Sequence, residues 1–121
     1  MAHPFVHIEL NTTHIGKAKD FYGKLFKWEL EDVEMGGDMT YTLIKVGEGT
    51  GGGMMKHPMP DAPSLWIPYV LVDDVEAATK EAKSLGASII RDVTEVPGLG
   101  WFSIFNDPTG ATIAVWKPKA A

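Results

Sequence analysis

Two titratable side chains lie two residues apart in an apolar stretch near the N-terminus. From residue 5 to residue 10 the sequence FVHIEL alternates apolar residues with His7 and Glu9. Alternate side chains of a β-strand point to opposite faces, so a strand here would place His7 and Glu9 on one face. An imidazole and a carboxylate on one face are suited to metal binding or to general-base catalysis, while a solvated edge strand is the structural alternative. Residues i and i+2 of a strand lie about 6–7 Å apart between backbone positions. For His7 and Glu9 to act together as a general base, their side chains would therefore need a long reach or a bridging water.

Composition narrows the classes of function. The chain has 121 residues, of which 45% are hydrophobic and 22% charged, as expected for one compact domain. Its net charge is −5 with no basic stripe, which argues against a nucleic-acid partner. It has no cysteine, so thiolate metal sites and cysteine nucleophiles are excluded. With no long apolar run and no signal-peptide pattern, we expect a cytoplasmic protein without a membrane partner.

Residues 1–56 follow a pattern of strand, helix and three strands. After the first strand, the polar residues 11–14 can cap a helix, and apolar residues at three- and four-residue spacing predict that helix over 15–26. Strands are predicted over 28–34 and 39–46, joined by a turn at Gly36-Gly37-Asp38. The glycine-rich stretch 47–53 leads into an irregular strand that ends at Met54 or Met55.

Residues 64–121 repeat this pattern after a linker at 57–63 that contains three prolines. A strand over 66–72 precedes a helix over 75–85, which Gly86 is placed to terminate in a left-handed conformation. Strands over 88–93, 101–105 and 111–116 follow, and Asn106–Gly110 has the composition of a tight turn. The two halves superpose at an offset of sixty residues, which predicts two tandem βαβββ modules within a single domain. Two small sheets with helices outside would curve into an open barrel with a pocket on its inner face.

The motifs resemble those of the vicinal oxygen chelate superfamily, which includes glyoxalase I, bleomycin-resistance proteins and extradiol dioxygenases. In the first module the similar residues are His7, His14, Ala18 and the run from Phe21 to Trp28. In the second module they are the sequences VDDVEAA and LGA and, most specifically, NDPTGA over 106–111 followed by Val115-Trp116. The resemblance implies an α+β fold in which the two modules form a cupped eight-stranded mixed sheet, commonly in a homodimer.

The resemblance also implies a divalent metal on the inner face, held by residues of the first and last strands of each module. His7 matches the first of these four positions. The other three are occupied by Ile67, Ala114 and Met54, which are poor or impossible ligands for a hard cation. We therefore predict no metal and no other cofactor. The alternative is a displaced site on His7 and Glu9, completed by His57, by Glu48 or by the partner of a homodimer.

Three functions follow from this reading. The first is a protein that holds a small hydrophobic or aromatic ligand in a metal-free cup. The second is a metal-dependent lyase, isomerase or dioxygenase built on His7 and Glu9, and the third is a dimeric interaction protein with a vestigial cup. Strand parity places on the inner face the residues His7, Glu9, Tyr41, Met54, Tyr69, Trp101, Ala114 and Trp116, of which His7 and Glu9 are the candidate catalytic pair.

Overall fold

The computed structural model describes residues 2–34, 40–59 and 61–120 of the chain. They divide into two compact units, one over His7–Ile67 and one that joins the residues up to Val6 to those from Pro68 onward. The predicted turn at Gly36-Gly37-Asp38 and the linker residue Pro60 lie outside the described residues.

The unit over His7–Ile67 contains one helix, three complete strands, most of a further strand at its start and the first residues of another at its end. In chain order the helix and the first four strands are β1 (Phe5–Thr12), α1 (Ile15–Phe26), β2 (Glu29–Glu34), β3 (Thr40–Lys45) and β4 (Gly52–Lys56). The strands lie in the order β2-β3-β4-β1. The pairing of β1 with β4 is parallel, whereas β3 pairs with β2 and with β4 in antiparallel fashion.

Helix α1 packs on one face of these four strands. Leu10, Ile44 and Met54 are buried together, and Ile15, Ala18, Tyr22, Trp28, Leu30, Val46 and Trp66 pack against them. His14 caps the helix as predicted, since its Nδ1 accepts a hydrogen bond from the backbone N–H of Lys17. The opposite face of the strands is therefore the one that carries His7 and Glu9.

The second unit contains most of β5 (Leu65–Leu71) and all of α2 (Val75–Ser84), β6 (Ser88–Val96), β7 (Gly100–Asn106) and β8 (Thr112–Pro118). Its strand order β5-β8-β7-β6 repeats that of the first unit, with β5 and β8 parallel and the other pairs antiparallel. The prediction of an α+β fold made of two βαβββ modules, with eight strands in mixed pairing, is confirmed.

The predicted helix end and tight turn of the second unit are both present. Gly86 follows α2 with a φ of 106°, the left-handed conformation expected of a terminating glycine. In the turn at residues 106–110, the Asp107 carboxylate accepts hydrogen bonds from the hydroxyl and backbone N–H of Thr109 and from the backbone N–H of Ala111. These bonds, led by the Thr109 hydroxyl, lower the pKa of Asp107.

Neither helix of the described part of the chain is long and apolar enough to cross a membrane.

Candidate functional site

Four polar side chains on the face of the first unit opposite α1 form a continuous chain of hydrogen bonds. His7 Nε2 lies 2.7 Å from the Tyr41 hydroxyl oxygen, and the same hydroxyl donates to Glu9 Oε1 at 2.9 Å. The Asn11 amide donates to the other carboxylate oxygen of Glu9, also at 2.9 Å. We call His7, Glu9, Asn11 and Tyr41 the polar chain.

The direction of these bonds assigns the protons. The single proton of the Tyr41 hydroxyl is donated to Glu9, so the bond to His7 requires an N–H on His7 Nε2. Both carboxylate oxygens of Glu9 accept a hydrogen bond, one from Tyr41 and one from Asn11. Burial lowers the pKa of His7, and the nearby charge of Glu9 opposes this shift in part. A neutral His7 with its proton on Nε2 is consistent with both observations.

The polar chain is largely withdrawn from solvent. Glu9 is 8% exposed and Asn11 is 5% exposed, while His7 and Tyr41 are half-buried. A buried carboxylate is costly unless hydrogen bonds replace its hydration, and Tyr41 and Asn11 supply such bonds. The four groups therefore stabilise one another in a fixed arrangement.

Glycine at position 53 makes room for the Tyr41 side chain. Gly53 is the parallel-strand partner of Glu9 in β4 and the antiparallel partner of Leu43 in β3. A Cβ atom on Gly53 would fall 2.1 Å from the Tyr41 hydroxyl oxygen and 2.2 Å from a ring carbon. The phenol thus occupies the space that any side chain at position 53 would take.

The structure brings together three of the residues predicted for the pocket. His7, Glu9 and Tyr41 meet in the polar chain, and the Tyr41 hydroxyl supplies the connection between His7 and Glu9 that their separation along the strand demands. Asn11 was not predicted, because the sequence interpretation ended the strand at residue 10 and assigned residue 11 to the helix cap. The signal available in the sequence was its position two residues after Glu9, which places both side chains on one face if the strand continues to residue 11.

Met54 does not share the face of the polar chain. Met54 is fully buried beneath α1, on the face opposite His7. Met54 points to that face because its strand partners are Leu10 and Thr42. Each of these partners is next in sequence to a residue of the polar chain, Glu9 or Tyr41, and neighbouring residues of a strand point to opposite faces. Gly53, rather than Met54, shares the face of the polar chain.

In the second unit, Tyr69, Ala114 and Trp116 lie on one face, because Tyr69 pairs with Ala114 and Trp116 follows Ala114 by two residues along β8. Trp101 instead packs in the apolar cluster on the α2 side, with Val75, Phe105 and Val115. Its ring also lies 5.4 Å from Lys119 Nζ. Trp101 therefore lies on the opposite face of the strands from Tyr69, Ala114 and Trp116, whereas strand parity predicted the same face for all four.

Three of the four positions to which the resemblance assigns metal ligands carry side chains that are poor or impossible ligands for a hard cation. His7 Nε2 is hydrogen-bonded to the Tyr41 hydroxyl, Met54 is fully buried on the opposite face of the strands, and Ala114 is fully buried beside its strand partner Tyr69. Ile67 is buried and apolar. Over residues 2–34, 40–59 and 61–120, no three His, Asp or Glu side chains are grouped to hold a metal.

The two additional ligands considered from the sequence have other surroundings. His57 Nδ1 accepts the backbone N–H of Met59 within the linker, and Glu48 lies in an exposed bend after β3. Neither has a described hydrogen bond to the polar chain.

Residues 5–115 match the model of the Glyoxalase/Bleomycin resistance protein/Dioxygenase superfamily. The chain belongs to this superfamily. Among its relatives, "Putative glyoxylase CFP32" of Mycobacterium bovis is 33% identical over 110 residues, which cover 91% of this chain and 42% of that protein. "Anthracycline biosynthesis protein DnrV" of Streptomyces peucetius is 28% identical over 123 residues, covering 90% of this chain and 45% of that protein. This superfamily member therefore spans less than half the length of either relative.

Solved structures share the superfamily fold. Methylmalonyl-CoA epimerase from Mycobacterium tuberculosis has a TM-score of 0.70 at 14% identity, covering 96% of this chain and 88% of that one. A hypothetical protein from Bacillus halodurans has a TM-score of 0.72 at 16% identity, covering 100% of this chain and 98% of that one. At such identities the similarity shows a common fold and is not evidence of a common activity.

Proposed function

We propose that this chain is a cytoplasmic, homodimeric glyoxalase/bleomycin-resistance-like protein that binds a small hydrophobic or aromatic molecule without the superfamily's metal ion. The observation that carries the proposal is the Tyr41 hydroxyl between His7 and Glu9. This hydroxyl engages the imidazole nitrogen and carboxylate oxygen that a metal site on these residues would need. The polar chain is thus suited to orienting an organic ligand by hydrogen bonds.

The surroundings of the polar chain favour a partly apolar ligand. Val33 pairs with Tyr41 across β2 and β3, Leu43 pairs with Gly53, and Met55 pairs with Asn11. Directly paired residues of neighbouring strands share a face, so these three apolar side chains flank the polar chain. An apolar surface with a few fixed polar groups is the usual composition of a small-molecule site.

The names of two relatives support an aromatic ligand. The Streptomyces peucetius relative is named for anthracycline biosynthesis, and so is its counterpart from Streptomyces sp. strain C5, at 27% identity. Anthracyclines are polycyclic aromatic compounds, which would present a flat apolar body to a surface of this kind.

The test is a melting experiment on chelator-treated protein. Zn, Ni, Mn, Fe(II) and Co are added singly, and a panel of aromatic alcohols and an anthracycline is added in parallel. A ligand at a hundred times its dissociation constant should stabilise the native state by about 2.7 kcal/mol, a shift of several degrees. We expect such a shift from at least one aromatic compound and none from a metal.

Two variants make the melting experiment specific. His7→Ala removes one end of the polar chain and should abolish the ligand shift, whereas His57→Ala changes a linker histidine and should preserve it. A shift produced by one metal and lost in His7→Ala would instead support a metal-dependent lyase, isomerase or dioxygenase. If neither metals nor aromatic compounds change the melting temperature, the dimeric interaction protein becomes the better explanation.

A further inference from the structure

The chain has one arginine, Arg91, and the strand that carries it is irregular on both sides of it. The register between β6 and β7 shifts between Ile89 and Arg91 and again between Arg91 and Thr94. At each shift β6 holds one residue more than the paired stretch of β7, as in a β-bulge. An extra residue changes the face to which the following side chains point. Arg91 therefore does not share the face of Ile89, although the two lie two residues apart.

The two shifts turn Arg91 away from α2. Ile89 and its partner Phe105 pack in the apolar cluster on the α2 side, whereas Arg91 pairs with Ile104 on the other face. Directly paired residues of neighbouring strands share a face, so pairing extends this face from β6 through β7 and β8 to β5. We call it the Arg91 face. Its two rows are Arg91, Ile104, Ala114 and Tyr69, and Thr94, Phe102, Trp116 and Leu71.

The Arg91 guanidinium lies over an aromatic ring of this face. Its central carbon is 5.9 Å from the centroid of the Phe102 ring, within the range of a cation–π interaction. The Phe102 ring lies 6.3 Å from the Tyr69 ring, with 51° between the two ring planes. Arg91 Nε also donates a hydrogen bond to the Thr94 hydroxyl at 3.2 Å. The second bulge makes this bond possible, because it keeps Thr94 on the face of Arg91.

Arg91 carries the only formal charge that β5 to β8, all of whose residues are described, present on this face. Glu95 and Lys117 both pair with Trp101, which lies on the α2 side. Asp92 lines a cavity between α2 and β6. Within the described part of the chain, Arg91 forms no ion pair with a carboxylate. The face thus combines an exposed cation with aromatic rings.

This combination is suited to an aromatic anion. A guanidinium has five N–H donors in one plane, and Thr94 accepts only one of them. The remaining donors can bind a carboxylate in bidentate geometry, the arrangement that arginine favours. The ring of Phe102 and that of its strand partner Trp116 offer an apolar surface to an aromatic body attached to the carboxylate. One cation balances one negative charge, which favours a monocarboxylate over a dianion.

We infer that the Arg91 face binds a planar aromatic monocarboxylate, whose carboxylate pairs with Arg91 and whose ring packs on Phe102 and Trp116. The inference goes beyond the proposed function, because this site lies in the second unit and includes no residue of the polar chain.

The test compares three compounds by NMR on the ¹⁵N-labelled chain at neutral pH and low salt. They are 2-naphthoate, its neutral analogue 2-naphthylmethanol, and acetate, which has the charge without the ring. Because Arg91 is the only arginine, the chain has a single guanidinium Nε–H signal, which reports on this site alone. We expect 2-naphthoate to shift that signal and to bind about tenfold more tightly than either of the other compounds. Added salt should reduce the difference between 2-naphthoate and the alcohol.

Substitutions at Arg91 test the source of the selectivity, with the Trp116 indole N–H signal as the readout. Arg91→Gln should weaken 2-naphthoate binding about tenfold and leave the alcohol unchanged, and Arg91→Lys should restore only part of the loss because lysine lacks the planar fork. Lys117→Gln, which removes an exposed cation from the opposite face, is the matched control and should change neither affinity. Phe102→Leu should weaken both naphthyl compounds, and it gives a second result if Arg91→Gln does not fold.

The possible outcomes separate this inference from the proposed function. A Nε–H signal that 2-naphthoate leaves unmoved up to its solubility limit would overturn the site. Equal binding of 2-naphthoate and the alcohol would overturn the role of the charge, and equal binding of 2-naphthoate and acetate would overturn the role of the rings. If 2-naphthoate shifts the signals of His7 and Tyr41 and not that of Arg91, the binding function stands and this inference is wrong. A response of Arg91 without any response of His7 or Tyr41 supports the inference independently of the polar chain.

Discussion

The ring of Tyr41 lies directly against the backbone of Gly53. A Cβ atom at position 53 would be 2.1 Å from the phenolic oxygen, far inside the contact distance of two heavy atoms. The position of the hydroxyl between His7 and Glu9 therefore depends on a residue that contributes no side chain. The polar chain can therefore be tested by a substitution at Gly53, which is not one of its members.

Gly53→Ala should displace the Tyr41 ring and break the polar chain. We expect a loss of about 1–3 kcal/mol in the free energy of unfolding, since the new methyl group overpacks a buried position. Urea denaturation measures this loss, and the double variant Gly53→Ala with Tyr41→Ala should lose less than the sum of the single variants. Gly23→Ala in α1 is the control: its Cβ would meet only Leu30 Cδ1 at 3.7 Å, so we expect a gain of about 0.5–1 kcal/mol.

Tyr41→Phe should remove the hydroxyl and leave the ring in place. His7 Nε2 and Glu9 Oε1 each lose a partner in a region largely closed to solvent, which should cost about 1–3 kcal/mol of unfolding free energy. Tyr22→Phe, whose hydroxyl only accepts a 3.3 Å bond from Trp66 Nε1, serves as the control and should cost less. Equal stability of Tyr41→Phe and the unmodified chain would show that the polar chain contributes nothing to folding.

The unfolding free energy should decrease as the pH falls below about 6.5. The pKa of His7 is lowered from its usual value of 6.5 in the native state, so the unfolded chain takes up a proton first. The stabilisation is complete above pH 6.5 and is lost between that pH and the native pKa. Urea denaturation between pH 7.5 and 5.5 measures this slope.

His7→Gln should flatten this part of the pH dependence. His3→Gln, which replaces an exposed histidine, is the control for the loss of an imidazole. A slope that persists undiminished in His7→Gln would assign the effect to other groups.

A further prediction concerns the hydrogen bond between two buried hydroxyls of the second unit, those of Thr79 and Ser103. Thr79 donates to the backbone carbonyl of Val75, so the 2.7 Å contact between Thr79 and Ser103 requires Ser103 to donate. Thr79→Val should cost about 1–3 kcal/mol because it removes the acceptor of a buried hydroxyl. The double variant Thr79→Val with Ser103→Ala should recover part of this cost in urea denaturation. Ser88→Ala, at an exposed position, is the control, and strictly additive costs would contradict the assigned donor.

Periodicity and turn chemistry were sufficient to predict the elements of the fold. The three- and four-residue spacing over 15–26 matches α1, and the left-handed Gly86 marks the end of α2. Strand ends were less well predicted: β1 continues to Thr12 and β6 to Val96. Polar residues such as Asn11 favour caps in isolation, whereas pairing with β4 keeps this one in the strand.

The site was predicted only in part, because its geometry depends on pairing between distant strands. His7 and Glu9 could be placed on one face from alternation alone. The role of Tyr41 depends on β3 lying beside β4, with Gly53 between Leu43 and Glu9 in register. Met54 was assigned to the wrong face for the same reason, since its partners are Leu10 and Thr42, which point away from the face of Glu9 and Tyr41.

The boundary between the two compact units falls inside β1 and β5, away from the proline-rich linker. The Leu71 backbone N–H donates to the carbonyl of Pro4, and His3 Nδ1 lies 2.9 Å from the Leu71 carbonyl, so the N-terminal residues complete the second unit. A gene divided at residue 60 would encode a C-terminal fragment without that segment and an N-terminal fragment without Trp66. For this reason the βαβββ repeat, although visible in the sequence, does not correspond to a pair of separable polypeptides. Two such fragments could complement each other only if the N-terminal segment joined the C-terminal fragment and the segment with Trp66 joined the N-terminal fragment.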